Sequence, residues 1–256
     1  MARAAVPGRL TWRVATVKET KDETATARTL TLDVPGWPGH EPGQHVAVKL
    51  TAADGYTAQR DYSIGSATEP DRLEITVQRL TDGEVSPYLA ETAEAGDQFE
   101  LRGPIGGWFT WHPSDPRPLL LFAGGSGIVP LMSMIRTHAQ FGSRVPVRLI
   151  YSARTPADVI YDDELSERGR VSPLTLTYLY TRSGWAARGI APARDAKSYT
   201  TRLNAKILAE TAFPPSATPA TFVCGPSGFV ETAASLLVAA GHAAGTVKTE
   251  RFGPGG

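Results

Sequence analysis

The chain has 256 residues, enough for two ordinary domains, and its 26 basic and 26 acidic residues give a formal net charge of zero at pH 7. This balance excludes proteins that bind nucleic acid or an anionic membrane through a strongly basic surface. The single cysteine, Cys224, excludes an internal disulfide and an iron–sulfur cluster held by this chain's own cysteines. The sequence contains no signal-type N-terminal segment and no run of 18 apolar residues, so we expect a soluble, cytoplasmic protein.

Residues 1–113 predict an antiparallel β-domain. Short segments rich in Val, Thr, Leu and Tyr are separated by turn-forming clusters of Pro, Gly and Asp. Apolar residues alternate within them, as at Leu30, Leu32 and Val34, which indicates one buried face per strand. The predicted strands are residues 10–18, 27–34, 44–51, 59–65, 73–80 and 98–101, with one or two helical turns at 86–92. This pattern is typical of a small barrel or sandwich.

Residues 114–256 alternate strands and helices after a proline-rich connector, Trp-His-Pro-Ser-Asp-Pro-Arg-Pro. Strands are predicted at residues 119–123, 147–153, 174–181, 221–224 and 247–251. Helices are predicted after Gly127 and at residues 157–168, 201–211 and 229–240. Five strands with four intervening helices predict a doubly wound parallel sheet, whose ligands bind beyond the carboxyl ends of the strands.

The segment from residue 119 to residue 141 is a candidate phosphate site. A buried apolar strand ends at a turn, Gly-Gly-Ser-Gly, and apolar residues then recur at helical spacing from Ile128. Glycines let the backbone approach an anion, and the unpaired N–H groups of the helix N-terminus attract it. An ordinary βα turn is the alternative interpretation, and the spacing differs from the dinucleotide motif GxGxxG.

Five motifs in order resemble the ferredoxin–NADP reductase superfamily of flavoenzymes across nearly the whole chain. They are Arg60-Asp61-Tyr62-Ser63, Gly83-Glu84-Val85-Ser86, Gly124-Gly125-Ser126-Gly127 followed by Pro130, Cys224-Gly225-Pro226, and Glu250-Arg251-Phe252. The resemblance implies an FAD-binding β-barrel at residues 1–113 and an NAD(P)-binding α/β domain with a five-stranded parallel sheet at residues 114–256.

In the first domain the resemblance implies that Arg60 binds the FAD pyrophosphate, that Tyr62 packs on the isoalloxazine, and that Ser63 hydrogen-bonds near flavin N5. Ser86 would cap a helix at a second phosphate cradle. The full implied FAD set is Arg60, Asp61, Tyr62, Ser63, Val77, Gln78, Arg79, Gly83, Val85 and Ser86. Five of these have a structural alternative when considered singly: Arg60 as a solvated or salt-bridged arginine, Tyr62 as a core tyrosine, Ser63 as a strand-end hydroxyl, Gly83 as a plain turn residue and Ser86 as a plain helix cap.

In the second domain the resemblance implies that the glycine turn holds the nucleotide pyrophosphate and that Cys224 lies beside the nicotinamide, where a small side chain permits close approach. Glu250 and Phe252 would lie near the flavin, although Gly-Pro-Gly-Gly follows Phe252, whereas plant-type relatives end on an aromatic residue. The implied nucleotide and flavin contacts are Gly125, Ser126, Gly127, Arg154, Arg182, Cys224, Gly225, Pro226 and Phe252. The implied catalytic residues are Ser63, Cys224 and Glu250. A buried structural cysteine is the alternative for Cys224.

Two arginines follow predicted strands of the second domain, and their positions favour NADPH over NADH. Arg154 and Arg182 are similar in position to the 2′-phosphate ligands of NADP-using relatives, and Asp158 lies four residues beyond Arg154. Solvated loop arginines are the alternative. No metal site is expected, because the five histidines show no metal-ligand spacing. They are His40, His45, His112, His138 and His242.

The implied function is that of an FAD-dependent NAD(P)H oxidoreductase. Hydride would pass from nicotinamide C4 to flavin N5, and electrons would then leave one at a time to a separate ferredoxin, flavodoxin or oxygenase component. No fused iron–sulfur domain, nucleic-acid partner or membrane partner is expected. Two alternatives stay open: a free-flavin reductase, and a non-catalytic electron-transfer or sensor subunit of a larger complex.

Overall fold

Two six-stranded sheets, one antiparallel and one parallel, follow each other along the chain in the computed structural model. The structure describes residues 10–69, 72–171, 173–182 and 196–253; the predicted tail beyond Gly253 lies outside these residues. The fold class predicted from the sequence, a β-domain followed by an α/β domain, is confirmed.

The first sheet forms a closed antiparallel barrel. Its strands are β1 (Arg13–Thr24), β2 (Ala27–Asp33), β3 (His45–Thr51), β4 (Thr57–Ser63), β5 (Leu73–Gln78) and β6 (Gln98–Ile105). They lie in the order β4-β3-β6-β1-β2-β5, and a bridge between Ile64 and Ile75 joins the two edge strands. A five-residue π-helix, Tyr88–Thr92, precedes β6. Fully buried aliphatic residues such as Leu30, Val46 and Leu101 fill the interior, as the alternating pattern predicts.

The second sheet is parallel and has helices on both faces. Its strands are β7 (Leu119–Gly124), β8 (Val147–Ala153), β9 (Leu174–Tyr180), β10 (Lys197–Tyr199), β11 (Ala220–Pro226) and β12 (Val247–Phe252), in the order β10-β9-β8-β7-β11-β12. The helices are α1 (Ile128–Gln140), α2 (Asp162–Val171), α3 (Ala205–Thr211) and α4 (Ser227–Ala239). The strand order reverses between β7 and β11, so the glycine turn that follows β7 opens at the point where ligands of such sheets bind.

The predicted five-stranded parallel sheet is wrong by one strand. Strand β10 pairs parallel with β9, with Lys197 opposite Thr177 and Tyr199 opposite Leu179. Its three residues, Lys-Ser-Tyr, are polar and largely exposed, so they lack the apolar run that marks an interior strand. A strand this short at the sheet edge is held by backbone pairing, which leaves no pattern in the sequence.

Two helix starts also differ from the prediction. Residues Pro156–Asp158 form a 3-10 turn, so α2 begins at Asp162 instead of residue 157. The side chain of Asn204 accepts a hydrogen bond from the Ile207 N–H, and this N-cap starts α3 at Ala205 instead of residue 201. In both cases a local turn or cap, more than apolar periodicity, decides where the helix begins.

Helix α1 lies between the two sheets and contacts both. The buried Ser133 hydroxyl donates to the Ser66 carbonyl oxygen at 2.6 Å, and the hydroxyl oxygens of Thr137 and Thr68 are 3.3 Å apart. Ala27 of the barrel belongs to the same apolar cluster as the core residues of α1 and β7. The barrel and the parallel sheet therefore share a packed interface. Among the described residues, none of the helices has the length and apolar composition needed to cross a bilayer.

Candidate functional site

Strand β4 is a barrel edge strand and carries four of the predicted site residues. Arg60 and Tyr62 share one face of the strand, because alternate residues of a strand point the same way. Tyr62 is half-buried and packs against the barrel core, whereas Arg60 and Asp61 are exposed. Ser63 ends the strand and is half-buried. The edge thus offers an aromatic face, a cation and a hydroxyl within four residues.

Arg60 brings the first two motifs together. Its Nη2 donates to Glu84 Oε2 at 2.6 Å, and its Nη1 donates to the Gln59 carbonyl oxygen at 2.6 Å. The Tyr56 hydroxyl donates to the other oxygen of Glu84 at 2.6 Å. These hydrogen bonds lower the pKa of the exposed Glu84 carboxyl. The Arg60 side chain is 52% exposed and its ionic partner is a surface carboxylate, so an incoming diphosphate can replace Glu84 at little cost.

The turn at Gly83 is closed by Ser86. The Leu80 N–H donates to Ser86 Oγ at 3.1 Å, and a Cβ placed on Gly83 would lie 2.6 Å from that oxygen. The predicted helix cap is wrong, because the residue preceding the π-helix is Pro87 and the Ser86 hydroxyl is used within the turn. Ser86 and Val85 are buried, so the turn presents backbone to a ligand.

The end of β5, in the barrel, lies close to the glycine turn of the second domain. Val77 is fully buried in the barrel core, and the Gln78 Oε1 atom lies 3.8 Å from the position that a Cβ of Gly125 would take. Arg79 pairs with Glu91 at 2.9 Å and lines a cavity of about 250 Å³ together with Asp22, Arg28 and neighbouring residues. Gln78 therefore lies near the glycine turn, whereas the Arg79 guanidinium is ion-paired with Glu91 at the barrel cavity.

The glycine turn approaches the end of β11 backbone to backbone. A Cβ on Gly127 would lie 2.2 Å from the Cys224 carbonyl oxygen, and one on Gly124 would lie 2.8 Å from the Phe229 ring. Gly125 has φ +54°, a left-handed conformation that favours glycine. Each glycine is thus required by space or by conformation. The packing and conformation of the chain therefore require these glycines, whether or not a ligand binds at the turn.

The N-terminus of α1 fits an anion. The 3-10 turn Gly125–Gly127 leads directly into α1, and among the described residues no side chain caps that helix. Gly125 and Ser126 are half-exposed. The first N–H groups of the helix therefore lie at a solvent-accessible turn, where a phosphate could reach them.

Cys224 is a neutral, buried thiol at the centre of the sheet edge. It is 1% exposed, and burial followed by the nearby Glu250 charge raises its pKa well above the usual value. Its strand neighbours are Ala123 of β7 and Glu250 of β12. Since a thiolate is the reactive form, this environment suits a small, neutral side chain better than a nucleophile. Gly225 and the exposed Pro226 follow it, with Pro226 opposite Phe252 of β12.

Glu250 and His45 link the barrel to the parallel sheet. His45 Nδ1 lies 3.8 Å from Glu250 Oε1, and His45 stands directly opposite Ser63 in the β3–β4 register. Burial raises the Glu250 pKa to about 7, and its Oε2 atom is buried without a hydrogen-bond partner among the described residues. Burial lowers the pKa of His45, and the Asp61 charge partly opposes this. His45 thus connects the predicted catalytic residues: it is opposite Ser63 in the barrel and near Glu250, which is opposite Cys224 in the parallel sheet.

His45 is a site residue that the sequence analysis missed. A signal was present in the sequence: Ala-Ala-Asp-Gly at residues 52–55 is a turn-forming segment between two predicted strands. In the observed hairpin Thr51 pairs with Thr57, and six residues away from the turn on each strand His45 lies opposite Ser63. The hairpin register, more than the histidine itself, identifies the residue.

Arg154 and Arg182 lie side by side at the ends of β8 and β9. The Arg182 N–H donates to the Arg154 carbonyl oxygen at 2.9 Å, and both side chains are exposed. Arg154 Nη2 donates to Asp158 Oδ1 at 2.6 Å, and the Thr155 hydroxyl donates to the other oxygen of Asp158 at 2.6 Å. The acidic residue four positions along is therefore in direct contact with one of the two candidate phosphate ligands.

These features fit an FAD and a nicotinamide nucleotide. Arg60 can exchange its surface carboxylate partner for a diphosphate, and Tyr62 offers an aromatic face for a ring. The glycine turn offers backbone N–H groups at a helix start that no described side chain caps. Glu250 has a buried oxygen with no hydrogen-bond partner in the described part of the chain, and it stands opposite Cys224 in the strand register. Phe252 is partly buried against the core of the parallel sheet at the end of β12, next to Pro226. Groups suited to binding an anion thus lie at two places, Arg60 and the start of α1.

Two family models match the chain. Residues 11–110 match the oxidoreductase FAD-binding domain, and residues 121–235 match the oxidoreductase NAD-binding domain. The chain belongs to the ferredoxin–NADP reductase superfamily. The resemblance inferred from the five motifs is confirmed, and with it the expectation of an FAD-binding barrel and a nucleotide-binding α/β domain.

Known members of the family share both halves of the chain. The glycine betaine monooxygenase reductase subunit of Chromohalobacter salexigens is 31% identical over 216 residues, covering 83% of this chain and 56% of the relative. The chain thus spans about half the length of such curated relatives. The flavohem-like FAD/NAD-binding domain of nitric oxide dioxygenase from Vibrio cholerae has a TM-score of 0.81 at 24% identity, covering 94% of this chain and 99% of that one.

A second solved structure contains both cofactors. A ferredoxin NADP⁺ reductase from Neisseria gonorrhoeae with bound FAD and NADP has a TM-score of 0.75 at 22% identity, covering 95% of this chain and 99% of that one. At this identity the similarity shows the shared fold. Among the residues described in our structure, no group of three or more His, Cys, Asp or Glu side chains is placed to hold a metal ion.

Gly127→Ala tests the close approach of the glycine turn to β11. The added Cβ would overlap the Cys224 carbonyl, so we expect the free energy of unfolding to fall by about 1–3 kcal/mol and nucleotide affinity to fall with it. Urea unfolding and nucleotide titration measure both. The control is Gly228→Ala in α4, where nothing lies within 4 Å of the new Cβ and stability should be unchanged or higher. Equal behaviour of the two variants would contradict this packing.

Glu250→Gln tests the proton held by the buried carboxyl. The folded pKa of about 7 exceeds the ordinary 4.5, so the folded state binds the proton more tightly and wild-type stability falls as pH rises between these values. Glutamine removes this term. We expect the variant's stability relative to wild type to rise by about 2 kcal/mol between about pH 5 and about pH 8 in the apoprotein. Exposed Glu231→Gln is the control; a difference independent of pH for Glu250→Gln would refute the shifted pKa.

Proposed function

We propose that this chain oxidises NAD(P)H and passes the electrons through FAD to a separate acceptor protein, a ferredoxin, a flavodoxin or an oxygenase component. The observation that carries the proposal is the convergence of Ser63 and His45 of the barrel with Cys224 and Glu250 of the parallel sheet. An oxygenase component is supported by relatives named as reductase subunits of monooxygenases, including the ferredoxin reductase component of 3-ketosteroid-9-alpha-monooxygenase from Mycolicibacterium smegmatis.

The barrel binds FAD, and the parallel-sheet domain binds the nicotinamide nucleotide. Arg60 and the turn at Gly83 hold the FAD diphosphate, and Tyr62 packs against the ring system. The uncapped N-terminus of α1 holds the nucleotide pyrophosphate. FAD, when bound, accepts two electrons as a hydride and releases them singly, which a nicotinamide cannot do. The chain itself positions both cofactors and excludes water.

The residues between the two cradles keep the reaction centre neutral. Cys224 is a protonated thiol because of its burial, and its small volume leaves room for a ring. Glu250 holds a proton at its carboxyl up to about neutral pH, with His45 within 3.8 Å of one carboxyl oxygen. Ser63 offers a hydroxyl from the opposite side. The chain can therefore hold a proton close to the site of transfer without placing a permanent charge there.

Retention of FAD separates the main proposal from a free-flavin reductase. The purified protein should keep one FAD through gel filtration, because a charged and an aromatic contact both hold it. Anaerobic stopped-flow mixing with NADPH or NADH should then bleach the flavin, and ferricyanide should restore its colour. Loss of flavin on the column would favour a free-flavin reductase. A bound flavin that neither nucleotide reduces would favour a non-catalytic electron-transfer or sensor subunit.

For the nucleotide, we propose NADPH over NADH. The support is the adjacency of Arg154 and Arg182 at the ends of β8 and β9, where a 2′-phosphate would meet two guanidinium groups. Asp158 opposes this, since it pairs with Arg154 at 2.6 Å and would repel a phosphate. The preference for NADPH is therefore expected to be moderate.

Arg60→Ala tests the diphosphate assignment. Loss of one charge-assisted partner at a half-exposed position should weaken FAD binding by about 10- to 100-fold. Fluorescence titration of the apoprotein with FAD measures this. The control, Lys18→Ala, removes an exposed cation paired with Asp33 at 3.5 Å elsewhere on the barrel and should leave FAD affinity unchanged. An unaltered dissociation constant in Arg60→Ala would show that this guanidinium does not bind the diphosphate.

Three variants test the choice of nucleotide. Arg154→Ala or Arg182→Ala should reduce kcat/KM for NADPH by about tenfold while NADH turnover barely changes. Asp158→Asn removes the competing carboxylate and should raise kcat/KM for NADPH several-fold. Steady-state kinetics with both nucleotides give the ratios. Equal efficiency of NADPH and NADH in the unmutated protein would end the claim, and an equal loss with both nucleotides in the arginine variants would assign these residues to the fold instead.

A further inference from the structure

Arg136 is the centre of a polar cluster between the barrel and the parallel sheet. It lies on α1, the helix that begins at the glycine turn, and its side chain is 14% exposed. Its Nε and Nη2 donate to the two carboxylate oxygens of Glu164 at 3.0 and 2.6 Å. Its Nη1 donates to Glu74 Oε2 at 2.7 Å and to the Gly65 carbonyl oxygen at 2.8 Å. All three nitrogens of the guanidinium are engaged.

The partners of Arg136 belong to elements that hold different parts of the candidate site. Gly65 follows Ser63 by two residues, and Glu74 lies on β5, the strand that ends at Gln78. Glu164 lies on α2 of the nucleotide-binding domain. One planar side chain therefore ties the flavin-side strand ends to the helix that carries the glycine turn. The rigid fork of arginine suits this multiple bridging, which a lysine cannot reproduce.

Tyr161 forms a second bridge beside the first. This fully buried tyrosine has φ +63°, a conformation that a bulky residue rarely adopts, so the surrounding contacts must hold it there. Its hydroxyl hydrogen-bonds to the Thr76 hydroxyl of β5, and the Arg136 guanidinium lies 4.9 Å from the centre of its ring. Thr76 in turn lies 2.7 Å from the hydroxyl of Thr29 in the barrel. The strained backbone is thus coupled to the contact between domains.

The buried charges of the cluster oppose any movement of one domain relative to the other. The Glu74 side chain is only 5% exposed, and its other oxygen, Oε1, accepts from Arg72 Nη2 at 2.5 Å. Arg168 pairs with Glu164 at 2.8 Å from within α2. Separating the domains would leave Glu74 without one of its two cationic partners in a poorly solvated position, which is costly. The cluster therefore favours one relative position of the two domains.

We propose that Arg136 is a positioning residue that fixes the glycine turn relative to the Ser63 end of β4, and so sets the distance between nicotinamide and flavin. This inference rests on the proposed function, because the distance matters only if hydride passes between the two rings. Displacements of the order of an ångström can cost about 100-fold in rate without any loss of binding contacts. Arg136 contacts neither cofactor cradle, so its effect should appear in the rate and not in affinity.

Arg136→Met and Arg136→Lys test the proposal, with Arg148→Met as the matched control. Arg148 is a part-buried arginine of β8 that donates to the carbonyl oxygens of Thr211 and Ala212 and lies over the Phe213 ring, all within the nucleotide-binding domain. In FAD-loaded protein at saturating nucleotide, we expect Arg136→Met to lower the limiting rate of flavin reduction by about 10- to 100-fold. Dissociation constants for FAD and nucleotide should change less than about threefold. Arg136→Lys should lose less, and Arg148→Met should keep the wild-type rate despite lower stability.

Calorimetry of the apoprotein gives a readout that needs no cofactor. We expect one unfolding transition in wild type and in Arg148→Met, and two separate transitions in Arg136→Met, because the coupling between the domains is weakened. Arg136→Lys, which keeps the charge, should show a smaller separation. An unchanged limiting rate in Arg136→Met, or in Arg136→Lys if the methionine variant does not fold, would overturn the proposal. Loss of FAD or nucleotide affinity in place of rate would also overturn it. If neither nucleotide reduces the wild-type flavin, the proposed function fails, and a single calorimetric transition in Arg136→Met then decides against the positioning role of Arg136 as well.

Discussion

The contact on which the site depends is the backbone approach of the glycine turn to the end of β11. A Cβ on Gly127 would lie 2.2 Å from the Cys224 carbonyl oxygen, so only glycine permits the two strand ends to meet. That approach sets the start of α1 next to Cys224, whose neighbour on the other side, through the β11–β12 register, is Glu250. The backbone cradle at the start of α1 and the buried thiol of Cys224 thus lie side by side because glycine permits this close approach.

The charged groups of the site lie at its outer ends, and its centre carries little charge. Cations that can bind anions lie at its outer ends, Arg60 on the barrel and Arg154 on the parallel sheet, and each has a surface carboxylate as its present partner. The centre has a thiol that burial keeps protonated and a carboxyl whose pKa burial raises to about 7, so it is less ionised near neutral pH than an ordinary carboxyl. Phosphate groups are therefore expected at the outer ends, a diphosphate at Arg60 and a 2′-phosphate at Arg154, with the flat rings between them.

The sequence predicted those parts of the fold that rest on local patterns. Strand β8 matches its predicted bounds because an apolar run has sharp polar ends, and the glycine turn was found because it interrupts such a run. Strand β10 was missed because three polar residues carry no periodic signal. Arg136 was missed for another reason: its partners Gly65, Glu74 and Glu164 are 71, 62 and 28 residues away, so a side chain typical of a solvated helix face is buried by tertiary contacts alone.

The central claim is that a nicotinamide and a flavin meet where Ser63, Cys224 and Glu250 converge, so that hydride passes directly between them. The most direct test is anaerobic stopped-flow reduction of the FAD-loaded protein with nucleotide deuterated at C4, on each face of the ring in turn. Direct transfer in a fixed geometry predicts that deuterium on one face slows flavin bleaching and deuterium on the other does not. Equal rates with both deuterated nucleotides and with the unlabelled one would contradict the account.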